Sequence, residues 1–213
     1  MARFIDELKR THRCGDLRAT DEGKEVVLFG WVASYRDHGG CVFVDLRDRE
    51  GITQIVFDKS AVILFDKKLV EKSDTTIAAA EKTYEAASTV RSEWVIGIRG
   101  FVIGRGGNKN PKIATGEIEV HACEMTVFNK SDTPPFEIAD SIDTGEEKRL
   151  QYRYLDLRRA PFQKTLRIRH KINQTVRSYF DSQGFLELET PFMVKYTPGG
   201  ARNFLVPSRT NAG

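Results

Sequence analysis

The stretch CVFVDLRDREGITQIVFD, residues 41–58, constrains the fold more than any other. Val42, Val44 and Leu46 alternate with Cys41, Phe43 and Asp45, the period of two expected for a strand with one buried face. RDREG (47–51) connects it to a second run in which Ile55 and Phe57 join the inward set. Pairing the runs as a hairpin leaves Phe43 and Gln54 on the outward side. EVVLFGWVASYRD (25–37) is rich in β-branched and aromatic residues, and HGG (38–40) turns it into the hairpin. WVIGIRGFVIG (94–104) and TGEIEVHACEMTVFN (115–129) read as two more strands, the second with Ile118, Val120, Ala122 and Met125 along one side. RGGNKNPK (105–112) has loop composition, and 60–93, free of Pro and Gly, reads as a helical insertion. Five short strands with glycine turns predict a small barrel of the OB type, which binds oligonucleotides on one outer face; a packed sandwich is the alternative.

After the strands the pattern changes. KSDTPPFEIADSIDTGEE (130–147), with Pro134–Pro135 and many charges, reads as a linker. EEKRLQYRYLDLRR is wholly or partly helical. Pro161 then suits the first turn of a long helix that Gly184 caps. Leu166, Ile168, Ile172, Val176, Tyr179 and Phe180 form an apolar stripe along it. FLELETPFMV (185–194) reads as a strand whose proline bars it from a sheet centre. The expected organisation is therefore β followed by α/β: a barrel domain over 1–130, a linker over 131–148, and an incomplete α/β part over 149–213.

Between Arg149 and Arg177 lie nine Lys or Arg and one acid, Asp156. That density fits either a phosphate- or partner-facing surface or a solvated helix face. Cys14, Cys41 and Cys123 are scattered without CxxC spacing, which fits reduced thiols in a cytoplasmic protein and offers no zinc site. The four histidines are isolated in sequence, so no metal cluster or catalytic triad follows from spacing. No signal peptide or membrane-spanning run is visible.

A flat ring (Phe43), an amide (Gln54) and a guanidinium (Arg36) on one side of a barrel suit unstacked bases. The ring offers stacking worth about 1–3 kcal/mol per base; the amide can read a base edge, and the arginine can hold a phosphate. Ordinary surface residues are the competing account. GWVASYRDHGGCVFVDLRDREGITQIVFD, NPKIATGEIEV, RYLDLRR, GFLELETPFMV and TPGGARNFLVPSR occur in this order, and together they resemble the bacterial-type aspartyl-tRNA synthetases. The resemblance implies an OB-fold that grips a tRNA anticodon, followed by the start of a class II antiparallel catalytic domain. Arg36, Phe43, Gln54 and Glu119 match the family's anticodon contacts, with Phe43 stacking and Gln54 reading the central uridine. Arg105, Asn108 and Asn110 match the loop that approaches the first anticodon base. His38 and Gly107 occupy places where the family's histidine and glycine accompany acceptance of both the aspartate and asparagine tRNAs. GFLELETP resembles motif 1, which implies a homodimer with Pro191 near its two-fold axis.

The family's chemistry activates L-aspartate with ATP and Mg²⁺ and passes it to tRNA. The arginines and metal ligands for this lie in motifs 2 and 3, which the sequence to Gly213 does not contain, so no catalytic, ATP-binding or metal-binding residue is expected in this chain. Family members usually carry a glutamate for the substrate ammonium where this chain has Gly199, and a glycine cannot make that contact. Two readings follow: the N-terminal portion of an aspartate–tRNA ligase, or a related module that binds tRNA without catalysis. A lysine or asparagine synthetase fragment fits GARNFLVPSR less well.

Overall fold

The structure, a computed structural model, describes residues 7–59, 64–65, 68–69, 74–194, 199, 204 and 206–210. Strands β1 (Glu25–Asp37), β2 (Cys41–Arg47) and β3 (Ile52–Asp58) form a meander. Two short strands follow, β4 (Leu64–Phe65) and β5 (Lys68–Leu69), then helix α1 (Asp74–Ser88). Strands β6 (Val95–Gly104) and β7 (Ile118–Asn129) complete a closed barrel in the order β1-β2-β3-β7-β6. The closing pair, β3 with β7, is parallel, with Ile55 opposite Val120 and Val56 opposite His121. The closed sheet removes the sandwich alternative.

Alternation builds this barrel. Val42, Val44, Leu46, Ile55, Ile98 and Val120 are all fully buried within one cluster. Each buried aliphatic side chain contributes about 1.5–3 kcal/mol relative to exposure. The register of β1 on β2 slips between Val32 and Ser34, and this bulge bends a strand long enough to pair with β6 on one half and β2 on the other. At Gly100 a Cβ would lie 2.3 Å from the His121 carbonyl oxygen, so only glycine lets β6 and β7 approach there. Helix α1 packs on β7, β3 and β2, with Ala80 and Ala87 buried. It is shorter than the helical insertion predicted over 60–93: 64–65 and 68–69 pair as strands, and 60–63, 66–67 and 70–73 lie outside the described residues.

The stretch predicted as a linker is tied down. Trp94 Nε1 donates to the Ser131 carbonyl at 3.1 Å, Phe136 is buried, and Arg159 donates to the carbonyls of Ala139 and Asp140. Helices α2 (Glu146–Gln151) and α3 (Arg153–Asp156) follow. Asp156 is 1% exposed and gathers Arg159 at 2.8 Å, Arg153 at 3.6 Å and Arg149 at 3.7 Å. Arg158 reaches Glu93 at 3.4 Å and lies over the Trp31 ring. Arg149, Arg153, Arg158 and Arg159 thus serve ion pairs within this part of the chain, and Arg177 pairs with Glu187 at 2.9 Å.

The chain divides into two compact units, Met1–Lys164 and Thr165–Gly213. Helix α4 (Ala160–Ser182) crosses that boundary, and within the second unit its stripe from Leu166 to Phe180 is exposed. Gly184, with φ +80°, caps it, and the Phe185 N–H returns to the Phe180 carbonyl at 3.1 Å. The expected strand over 185–194 does not form. A strand exists by its ladder, and among the described residues this segment has no partner strand.

Candidate nucleic-acid interface

Strand register decides which side chains meet on the outer face. Arg36 stands opposite Phe43, Phe43 opposite Val56, and Val56 opposite His121. One transverse row therefore carries a guanidinium, a ring and an imidazole, with the buried Val56 between the last two. The adjacent row holds Ser34, Asp45 and Gln54, and Glu119, two residues before His121, lies on the same face of β7.

Phe43 is half-buried, unlike its fully buried neighbours Val42 and Val44. The His38 ring meets it edge-on at 5.5 Å between centroids and 79° between planes. This contact fixes one edge of the ring. His38 itself is exposed, and its N–H closes the turn onto the Cys41 carbonyl.

Gln54 faces outward but is only 5% exposed, because charged neighbours cover it. Its Nε2 donates to Glu119 Oε2 at 3.1 Å, and its Oε1 accepts from Arg36 at 3.5 Å. A carboxylate only accepts and a guanidinium only donates, so the amide has one permitted orientation. One amide hydrogen and one oxygen lone pair are left for an incoming partner. Arg36 is held in turn by Asp45 at 3.4 Å, and Asp45 accepts from the Ser34 hydroxyl.

Glu119 is the hub of the other side. His121 Nε2 lies 2.9 Å from Oε1, and Arg105 Nε lies 3.6 Å from Oε2. With the carboxylate engaged by Gln54 and His121, Arg105 keeps two buried nitrogens, Nε and Nη1, without a hydrogen-bond partner. Both atoms are closed to solvent, and the Glu119 carboxylate at 3.6 Å is the charge that faces them.

The remaining predicted residues separate. Asn108 and Gly107 are exposed in the loop between β6 and β7. A Cβ on Gly107 would meet nothing within 4 Å, and its φ is not in the left-handed region. Neither packing nor backbone strain therefore requires glycine there. Asn110 Oδ1 accepts from the Lys112 N–H at 3.0 Å, so that side chain shapes the loop itself. Pro191 is exposed in the second unit, and Gly199 is exposed with open space about its Cα. Asp45, Ser34 and His121 belong to the site and escaped the sequence reading. The i, i+2 spacing of Glu119 and His121 on a strand was the available signal.

Among the described residues no group of three or more His, Cys, Asp or Glu side chains could hold a metal ion. No described helix is long and apolar enough to cross a membrane. Burial pushes the Cys123 thiol up to about 12, and burial beside Asp48 raises that of Cys14 further. Burial, with Asp58 nearby, also raises that of Cys41.

Comparison with known proteins matches residues 26–128 to a family model described as an OB-fold nucleic acid binding domain. Residues 145–213 match one described as tRNA synthetases class II (D, K and N). An aspartate–tRNA(Asp/Asn) ligase from Anaeromyxobacter dehalogenans is 60% identical over the whole chain. One from Caldanaerobacter subterraneus subsp. tengcongensis is 47% identical, also over 100% of the chain. The chain spans about a third of the length of these relatives, 32% and 33%. Among solved structures, the aspartyl-tRNA synthetase of Entamoeba histolytica has a TM-score of 0.70 at 22% identity, covering 92% of this chain and 42% of that one. The asparaginyl-tRNA synthetase of Pyrococcus horikoshii complexed with asparaginyl-adenylate has a TM-score of 0.67 at 22% identity, covering 91% and 39%. These likenesses concern the fold.

Proposed function

This chain belongs to the class II aminoacyl-tRNA synthetases of the aspartate, lysine and asparagine type, and from that premise we propose that its barrel grips a tRNA anticodon for an enzyme that attaches L-aspartate to tRNA. The observation that carries this reading is the outer face on which Phe43 stands beside an amide of forced orientation. Phe43 stacks on an anticodon base. Gln54 pairs its remaining donor and acceptor with a uridine, whose N3–H and carbonyl oxygens are complementary to them. Arg36 and Arg105 supply positive charge, and Asn108 lies at the loop that closes over the end of the anticodon.

Both the aspartate and the asparagine tRNAs are the proposed partners. The open space at Gly107 supports this, because a site without a side chain places no clash against a different third base. The two relatives are themselves named for both tRNAs.

In the whole protein, ATP and Mg²⁺ would supply the activation of aspartate. The described residues offer no metal cluster, and no catalytic step is assigned to them. The α4 stripe and Pro191 are proposed to serve a homodimer interface, and the cytoplasm is the proposed compartment.

The test is binding of the anticodon stem–loops of both tRNAs to the 213-residue chain. Phe43→Ala should weaken binding by about 1–3 kcal/mol, the value of one stacked base. Affinity equal to wild type would return Phe43 to the ordinary surface.

A further inference from the structure

Among the described residues of the outer face, His121 is a titratable side chain to which neither the motif nor the anticodon reading gives a task. It projects from β7 in the row of Phe43 and Val56, half-buried. Its Nε2 sits 2.9 Å from Glu119 Oε1, and the other carboxylate oxygen accepts from the Gln54 amide at 3.1 Å. We propose that His121 is a positioning residue for base selection: it orients the Glu119 carboxylate and, through it, the Gln54 amide. The inference rests on the anticodon reading and goes one residue beyond it.

The physical argument is one of counting donors. Glu119 faces three donor groups: the His121 ring, the Gln54 amide and Arg105, whose Nε lies at 3.6 Å. A carboxylate that loses its partner on Oε1 is free to turn toward the strongest remaining donor. Here that is the Arg105 guanidinium, whose Nε and Nη1 have no hydrogen-bond partner. The turn would draw Oε2 away from Gln54. The amide would then keep only its 3.5 Å contact with Arg36, and its donor and acceptor ends would no longer be pinned. His121 thus keeps Gln54 oriented.

Two substitutions in the 213-residue chain separate this role from a merely structural one. Leucine at 121 fills similar space and cannot donate; glutamine can donate to Glu119. For stem–loops with uridine or cytidine as the central anticodon base, H121L should lower the affinity ratio about fivefold, the scale of one lost hydrogen bond. H121Q should stay near wild type. In the RNA-free chain, H121L should shift the side-chain amide resonances of Gln54, while H121Q leaves them close to their original positions. Unaltered Gln54 resonances in H121L, or a loss of affinity equal for both stem–loops, would overturn the proposal. If the wild-type chain shows no preference between the two, the anticodon reading itself fails. The Gln54 resonances then decide the positioning role alone.

Discussion

At the scale of single residues, the outer face works by assigning each polar atom to one partner. Gln54 is held between a group that can only accept and one that can only donate. Gln54→Ala should therefore cost more in base choice than in overall affinity, because phosphate contacts survive it. Titrating stem–loops that differ at the central base would show this, and a uniform loss across them would argue against Gln54 as the reader. Gln54→Glu should be worse than alanine, since it places a second carboxylate against Glu119. The cysteines offer a separate test. Each thiol has its pKa raised, Cys123 to about 12 and Cys14 beyond that, so at pH 8 the reactive thiolate is scarce. Native protein should label slowly with iodoacetamide at all three positions, Cys14 slowest, and denatured protein quickly. Rapid labelling of native Cys14 would contradict its burial.

At the scale of elements, a buried carboxylate gathers the segment that follows the barrel, and Arg158 ties that segment to Glu93. Asp156 sits among Arg149, Arg153 and Arg159, and its loss would leave the buried Arg159 guanidinium without its carboxylate, beside two partly exposed cations. Asp156→Ala should cost about 3–5 kcal/mol in chemical denaturation, the range for breaking a buried pair from one side. A cost near zero would mean water reaches the cluster. Glu93 is the counterpart on the barrel side. It has φ +65°, accepts two 2.8 Å bonds from Arg47, and meets Arg158 at 3.4 Å. A non-glycine residue in the left-handed region is retained only where its contacts outweigh the strain. Glu93→Gly should therefore relieve the backbone yet still destabilise, because Arg47 and Arg158 lose their shared partner. The long element α4 shows the reverse situation: its cap is complete, but its apolar face is exposed within its own unit.

At the scale of the whole molecule, the proposed function predicts RNA binding that weakens steadily with salt, with a slope of roughly 0.7 per phosphate contacted by single-stranded RNA. A flat salt profile would be incompatible with a phosphate-holding face. The 213-residue chain should show no ATP–pyrophosphate exchange above background, measured beside its RNA binding; exchange would reveal chemistry that the described residues do not account for. The sequence by itself determined the barrel strands, the outward aim of Phe43, the helix bounded by Pro161 and Gly184, and the family. Each of these rests on local rules, namely period-two alternation, turn glycines, helix caps and ordered motifs. It placed a helix in the insertion, where one forms over Asp74–Ser88, but missed the paired strands before it and expected a strand over 185–194, because a short strand is defined by a partner that local composition does not contain. Only the tertiary structure decided that Gln54 is covered, that Arg105 has unmet donors, that Asn110 shapes its own loop, and that His121 and Asp45 belong to the site. Those facts depend on β1, β2, β3 and β7 meeting across a closed sheet, where residues as far apart in sequence as Arg36 and Glu119 bind opposite ends of the same Gln54 amide.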